Sequence, residues 1–264
     1  MPARPGVPLL AAALALSAPP AARAAELATY AAGAIPVAAA AANVEFPVGG
    51  DFRGELGTLV LGQGTYDDHN PFQYLSLVAP WAWLHFDGVR NLRLSVAFEE
   101  FLYAEVPPLG LPSGHEERLA LRARLQQPRG EGALYELLQL DVRSFVDPGG
   151  THRWVYRPRF RIGQGFNLDA VHIHSIVLYQ EVALRYAEDS YSRRAFEFFR
   201  AFIGYTGTTR RGVFVTLGLV GQVTLNPAAT RLDLFYGPVL AFTYRVPSPR
   251  AEAAPPQPSE VELH

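Results

Sequence analysis

The chain has 264 residues, 49% of them hydrophobic and 12% aromatic, and no cysteine. That is enough apolar surface for one sizeable domain, and it excludes disulfides, thiolate metal sites and a lipid-bearing cysteine. The formal net charge of -2 leaves no basic surplus to hold a phosphate backbone, which sets nucleic acid aside as a partner.

Residues 1–24 read as a secretory signal peptide. Arg4 supplies the early positive charge, Val7 to Leu16 an apolar run, and Ala22-Arg23-Ala24 a small-residue cleavage site. The run is too short to cross a bilayer as a helix, which takes roughly 20 apolar residues, and no later run reaches that length. A helical membrane protein is therefore excluded. Residues 25–50 are either a periplasmic lead-in or an extra strand.

From Phe52 to Val246 apolar and polar residues alternate with period two, broken at intervals by clusters of Gly, Pro, Asn and Asp. This predicts an all-β domain over residues 51–246. Strands are expected at Phe52 to Leu61, Phe72 to Phe86, Leu92 to Glu99, Arg118 to Gln126, Leu134 to Val146, Arg153 to Ile162, Ile176 to Tyr186, Phe196 to Tyr205, Val213 to Thr224 and Leu232 to Val246. That makes about ten, in a range of eight to twelve. Glu197 and Arg200 fall on opposite faces of the eighth, which predicts a bulge. Pro80, Pro158 and Pro238 lie inside predicted strands, and each requires a bulge or a strand end nearby. Asp87 to Asn91, Pro128 to Gly132 and Gly207 to Arg211 are short connections, whereas Gly62 to Pro71 and Val106 to Glu116 are longer. The alternation of short and long is that of periplasmic turns and external loops, with both termini on the periplasmic side. Residues 247–264 are proline-rich, acidic and aperiodic, and are expected to be a disordered tail.

The strands are longer than the five or six residues usual in soluble sheets and match what a bilayer needs. Aromatics gather near strand ends, with Trp81, Trp83, Trp154, Tyr156, Tyr186, Phe242 and Tyr244 expected as interfacial girdles. In the last strand, Tyr236 to Tyr244 carries Gly237, Leu240 and Phe242 at the glycine and alternating hydrophobic positions of a terminal insertion signal, although Phe235 stands where a polar residue is usual. On these features the chain resembles the bacterial outer-membrane β-barrel superfamily. The resemblance implies a transmembrane antiparallel β-barrel in the outer membrane of a Gram-negative-type bacterium. It implies outer-membrane lipids and the barrel assembly machinery as partners, and a role in structure, small-solute binding or limited passage. Neither a cofactor nor a metal is expected, and the sequence does not set the oligomeric state. The alternatives are an outer-membrane enzyme acting on lipid or peptide, and a secreted soluble barrel whose apolar stripes face inward around an apolar ligand.

The strongest constellation is a set of charged faces: Arg118, Arg122 and Arg124; then Asp141 and Arg143; then Arg153, Arg157, Arg159 and Arg161; then Glu181 and Arg185. On adjacent strands about 4.8 Å apart these residues face one another. Guanidinium forks suit phosphate and carboxylate groups, so one reading is an anion site or path. The other, favoured because small barrels are filled by their own side chains, is a lumen network in which Asp141, Glu181 and Glu99 neutralise the arginines. Enzymatic chemistry is not expected. In His172-Ile173-His174-Ser175 the serine points away from both histidines. Asp67-Asp68-His69-Asn70 reads as a solvated loop, and no convergent Ser, His and acid set can be assembled from spacing alone.

Overall fold

The computed structural model describes residues 31–109, 113–146, 152–169, 174–187, 196–209, 211–225 and 231–247; the predicted signal peptide and most of the predicted tail lie outside them. The strands are β1 (Ala31–Gly49), β2 (Phe52–Gln63), β3 (Tyr74–Val89), β4 (Leu92–Tyr103), β5 (Gly114–Arg129), β6 (Gly132–Val146), β7 (His152–Asn167), β8 (His174–Leu184), β9 (Tyr186–Ala187), β10 (Phe196–Thr208), β11 (Val213–Leu225) and β12 (Arg231–Arg245). β8 and β9 both pair with β7 and form one stave, broken at Arg185. The result is a closed, all-β barrel of eleven staves.

Sequence neighbours pair antiparallel around the whole circuit, and the circuit closes where β1 meets β12 in parallel. An odd number of alternating strands forces this, because the first and last then run the same way. The strand that makes the count odd is β1, so residues 31–49 are an extra strand rather than a lead-in. The expectation that both chain ends leave at one rim is corrected by the same geometry: β1 starts at one rim and β12 ends at the other. Two-residue turns at 50–51, 90–91 and 130–131 lie on the rim where β12 ends, and the long connection 64–73 and residues 104–109 after β4 lie on the opposite rim. The short turns carry Gly50, Asn91 and Gly130 at φ 58°, 63° and 56°, residue types that accept the left-handed geometry a tight hairpin requires.

Each proline flagged in the sequence sits where a ladder is interrupted without a register shift. The β3–β4 pairing skips from Val78↔Leu102 to Trp81↔Glu99 around Pro80. The pairing of β7 with the β8–β9 stave skips from Arg159↔Ala183 to Tyr156↔Tyr186 around Pro158. The β1–β12 seam skips from Pro36↔Tyr236 to Ala39↔Val239 around Pro238. A missing N–H is tolerated because no ladder bond is demanded there. The predicted bulge in β10 falls between Phe196 and Phe198.

The period-two pattern sorts the side chains. Leu94, Val96, Phe98, Leu119, Leu121, Leu138, Leu140, Leu217 and Leu219 all point outward, Leu219 being 60% exposed. The stripes therefore face outward, not inward around an apolar cavity. Inside, small residues lie beside large ones: Ala39, Ala41, Ala97, Ala120 and Ala241 pack with Trp81, Trp83, Phe101, Tyr179 and Phe202. Two of the expected girdle residues are corrected here. Trp81 and Trp83 are buried in the barrel interior, because they share a face of β3 with His85 while Ala82 and Leu84 take the outer face. Trp154, Tyr156, Tyr186, Phe242 and Tyr244 do lie on the outer face. The first three stand near the long-loop rim. Phe242 and Tyr244 stand near the short-turn rim, where the Phe52 and Phe86 rings are also outward and 5.1 Å apart.

Candidate functional site: a charged lumen

The inward positions of β4 to β10 form one network of carboxylates, each shared by more than one donor. Glu116, wholly buried, accepts from Arg118 Nη2 at 2.9 Å, Arg143 Nη2 at 2.9 Å and the Tyr103 hydroxyl at 2.8 Å. Arg118 Nη1 also reaches Glu99 at 3.2 Å, and Arg143 Nη1 reaches Glu197 at 2.6 Å. Asp141 accepts from Arg157 Nε at 2.7 Å and from the Gln139 amide at 2.5 Å, and Gln139 in turn accepts from Arg122 Nε at 2.7 Å. Glu181 binds Arg159 Nε at 2.5 Å and Arg161 Nη2 at 2.8 Å, with Arg200 Nη1 at 3.9 Å. Cross-strand register explains the convergence: Asp141 is opposite Arg157, and Arg161 is opposite Glu181. Taking these ions out of water is costly, and sharing each carboxylate between guanidinium groups offsets the cost.

Guanidinium planes also lie on interior rings. Arg118 sits 3.8 Å over Phe101, Arg122 3.8 Å over Trp83, Arg161 4.3 Å over Tyr179 and Arg124 5.0 Å over Tyr135. Such contacts are worth about 0.5–2 kcal/mol each and fill the lumen cross-section. Of the residues expected to form the network, Arg118, Arg122, Asp141, Arg143, Arg157, Arg159, Arg161 and Glu181 are buried together. Arg124 is half-buried toward the short-turn rim, and Arg185 is half-buried at the stave break. The Arg153 side chain lies outside the described set.

A second cluster, which the sequence pattern does not reveal, stands nearer the short-turn rim. Glu45 of β1 binds Arg53, Arg93 at 3.2 Å and Arg245 at 3.1 Å, and Arg93 is also held by Asp87 at 2.7 Å. Between the two clusters Glu55 has a different environment. One carboxylate oxygen accepts from Trp81 Nε1 at 2.8 Å; the other lies 3.3 Å from His85 Nε2, whose Nδ1 is 2.8 Å from Ser95 Oγ. These groups border a cavity of about 50 Å³ that Asn43, Arg93, Arg122, Arg124, Thr243 and Arg245 also line. The hairpin turn at Arg90-Asn91 alone would put His85 opposite Val96; the register shift between Phe86 and Val89 brings it opposite Ser95, and no sequence signal marks that shift.

The other sequence features stay apart from the lumen. His174 is exposed and stacks on Tyr205, while Ser175 is buried on the opposite face; His172 lies outside the described residues. Asp68 accepts from the Asn70 backbone at 2.9 Å within its own loop, and nearby Tyr66 reaches Asp233 of β12 at 3.0 Å, folding that loop over the long-loop rim. Among the described residues no cluster could hold a metal ion. Comparison with protein-family models, curated proteins and solved structures finds no match, so the site is read from its own geometry.

Proposed function

We propose that this chain is an outer-membrane β-barrel protein whose lumen is closed by its own charge network. Its role is structural, with binding or limited passage of small solutes through the polar space near the short-turn rim. The observation that carries the reading is the placement of charge: buried ion pairs, packed among alanines and aromatic rings, occupy the interior while leucine, valine and further aromatic side chains cover the outside. A continuous apolar outer belt of this extent is incompatible with water and suits hydrocarbon. Outward aromatics near both rims support the same reading. The short turns would then face the periplasm. The lumen reading favours neutralised arginines over an open anion path, since the central guanidinium groups already hold carboxylates.

Cell fractionation followed by gel mobility with and without boiling tests the proposal. The protein is expected in the outer-membrane fraction with a heat-dependent mobility shift; recovery as a soluble protein would refute it. A sharper check is Leu121→Arg, at the middle of β5 and half exposed on the outer face. In lipid vesicles this change should cost about 2–4 kcal/mol, whereas Phe52→Arg near the rim should cost about 0–1 kcal/mol. Denaturant unfolding of the two variants measures the difference, and equal costs would remove the membrane belt.

A further inference from the structure

We propose that Ser95, His85 and Glu55 form a nucleophilic catalytic site that hydrolyses small acyl esters. The three side chains come from adjacent strands β4, β3 and β2, and their hydrogen bonds form one chain. A carboxylate only accepts, so the His85 Nε2 facing Glu55 Oε2 carries the proton and Nδ1 is left to accept from the Ser95 hydroxyl. The serine is thus bonded to a base, and the base is oriented by an acid. The two ring nitrogens are used in the reverse order from the serine proteases, but each is competent to take and return a proton.

Two further features separate this chain from the surrounding ion-pair network. Glu55 is held by the Trp81 indole N–H rather than by a bound guanidinium, so its second oxygen is directed at His85. Trp83 stacks on the His85 ring at 5.9 Å and 7°, fixing its plane. The serine also has room in front of it. Ser95, His85 and Glu55 border the cavity of about 50 Å³; a water needs roughly 10–15 Å³ on such a measure, so the space takes the attacking water and a short acyl group, with the alcohol portion left toward the rim. Arg122 lies opposite Ser95 on β5 and lines the same space; its guanidinium, held through Nε by Gln139, is the cation assigned to the developing oxyanion. Toward the short-turn rim, Arg93 and Arg245 keep 19% and 24% side-chain exposure. At that rim the three guanidinium groups of Arg53, Arg93 and Arg245 face two carboxylates, Glu45 and Asp87, and this surplus of one positive charge favours an ester whose alcohol portion is negative.

In the first half-reaction the Ser95 Oγ–H proton moves to His85 Nδ1 while Oγ bonds to the acyl carbon. The carbon–alkoxide bond then breaks, and the alcohol leaves with the proton from Nδ1. In the second, water gives its proton to Nδ1, its oxygen bonds to the acyl carbon, and Oγ leaves and recovers a proton. The sum is ester plus water giving acid plus alcohol. Ser95 and His85 are the catalytic residues; Glu55 and Trp81 are positioning residues.

The inference does not depend on the membrane reading, and its test uses the full chain folded in detergent. Methanesulfonyl fluoride is expected to add one sulfonyl group at Ser95, located by peptide mapping, and not to modify Ser95→Ala. Hydrolysis of 4-nitrophenyl acetate should fall to the buffer rate in Ser95→Ala, a change of one oxygen that leaves packing intact. His85→Gln should lower kcat about 10²–10⁴-fold with KM little changed. Glu55→Gln should lower kcat and displace the pH–rate profile, which a merely structural role would not do. A ring-sulfonated aryl acetate should exceed its uncharged counterpart about tenfold in kcat/KM, the scale of one charge-assisted hydrogen bond; equal values would overturn the anionic assignment. Absence of a Ser95 adduct on folded protein, or hydrolysis by Ser95→Ala equal to that of the unaltered chain, would overturn the site.

Discussion

Glu181→Ala is expected to destabilise the barrel by about 3–5 kcal/mol, the cost of leaving buried cations without their counter-ion. Glu181 is 1% exposed and is the anion on which Arg159, Arg161 and Arg200 converge from β7 and β10. Removing it strands positive charge on two staves at once. Asp141 relieves only one of the three, since its Oδ2 is already 2.6 Å from Arg157 and lies 3.8 Å from Arg159. Urea unfolding of the folded protein in detergent or vesicles measures the loss. Adding Arg159→Met to Glu181→Ala should recover part of it, because the second change removes a charge that the first left unpaired. A Glu181→Ala protein as stable as the unaltered chain would mean that the lumen is wet enough to solvate guanidinium ions, and the closed-lumen reading would fail with it.

Gly237→Ala should prevent closure altogether. A Cβ at Gly237 would stand 1.7 Å from the Val37 carbonyl oxygen on the facing strand. The obstacle is backbone, so no side-chain rotation relieves it, and the seam must part over several residues. The expected outcome is loss of the compact, fast-migrating form on unboiled gels, at a cost above about 4 kcal/mol. Gly221 of β11 is the matched control: a methyl group there would meet nothing within 4 Å, and Gly221→Ala should stay within about 0.5 kcal/mol of the parent. If the two variants behaved alike, the β1–β12 seam would not be the closure of the barrel.

How far the sequence can be read depends on how sharply each strand separates its two faces. β7 alternates Arg157, Arg159 and Arg161 with Tyr156, Pro158, Phe160 and Ile162, so period two is unmistakable and its charges can be assigned to one side. β1 contains the run Ala38 to Ala42, in which both faces are alanine and the period disappears. That blank stretch hides the strand, and with it Glu45 and the whole cluster of Arg53, Arg93 and Arg245. Trp81 and Trp83 mislead for a different reason. Aromatics near a strand end serve equally well as an outer girdle or as interior filling, and only their parity with His85, a polar inward residue, decides between them. The Glu55–His85–Ser95 chain is beyond local reading because its parts are joined by register across three strands. The His85–Ser95 half depends on the register shift between Phe86 and Val89, and Glu55 enters through a second hairpin with a ten-residue connection; no spacing rule supplies either.

The parallel seam also sets the order of assembly. Ten of the eleven joints bind strands that follow one another in sequence, so each can form as soon as its hairpin does. The seam joins residues 200 positions apart, as in the Thr243 hydroxyl donating to Asn43. Its loop-closure entropy is recovered only after the intervening sheet has curled far enough to bring its edges together. Until then β1 and β12 are both open edges, each offering an unpaired ladder to a neighbouring chain. Closure is therefore expected to be the slow, concentration-sensitive step of folding, with the alanine-rich, nearly featureless face of β1 having to find its one correct partner within that interval.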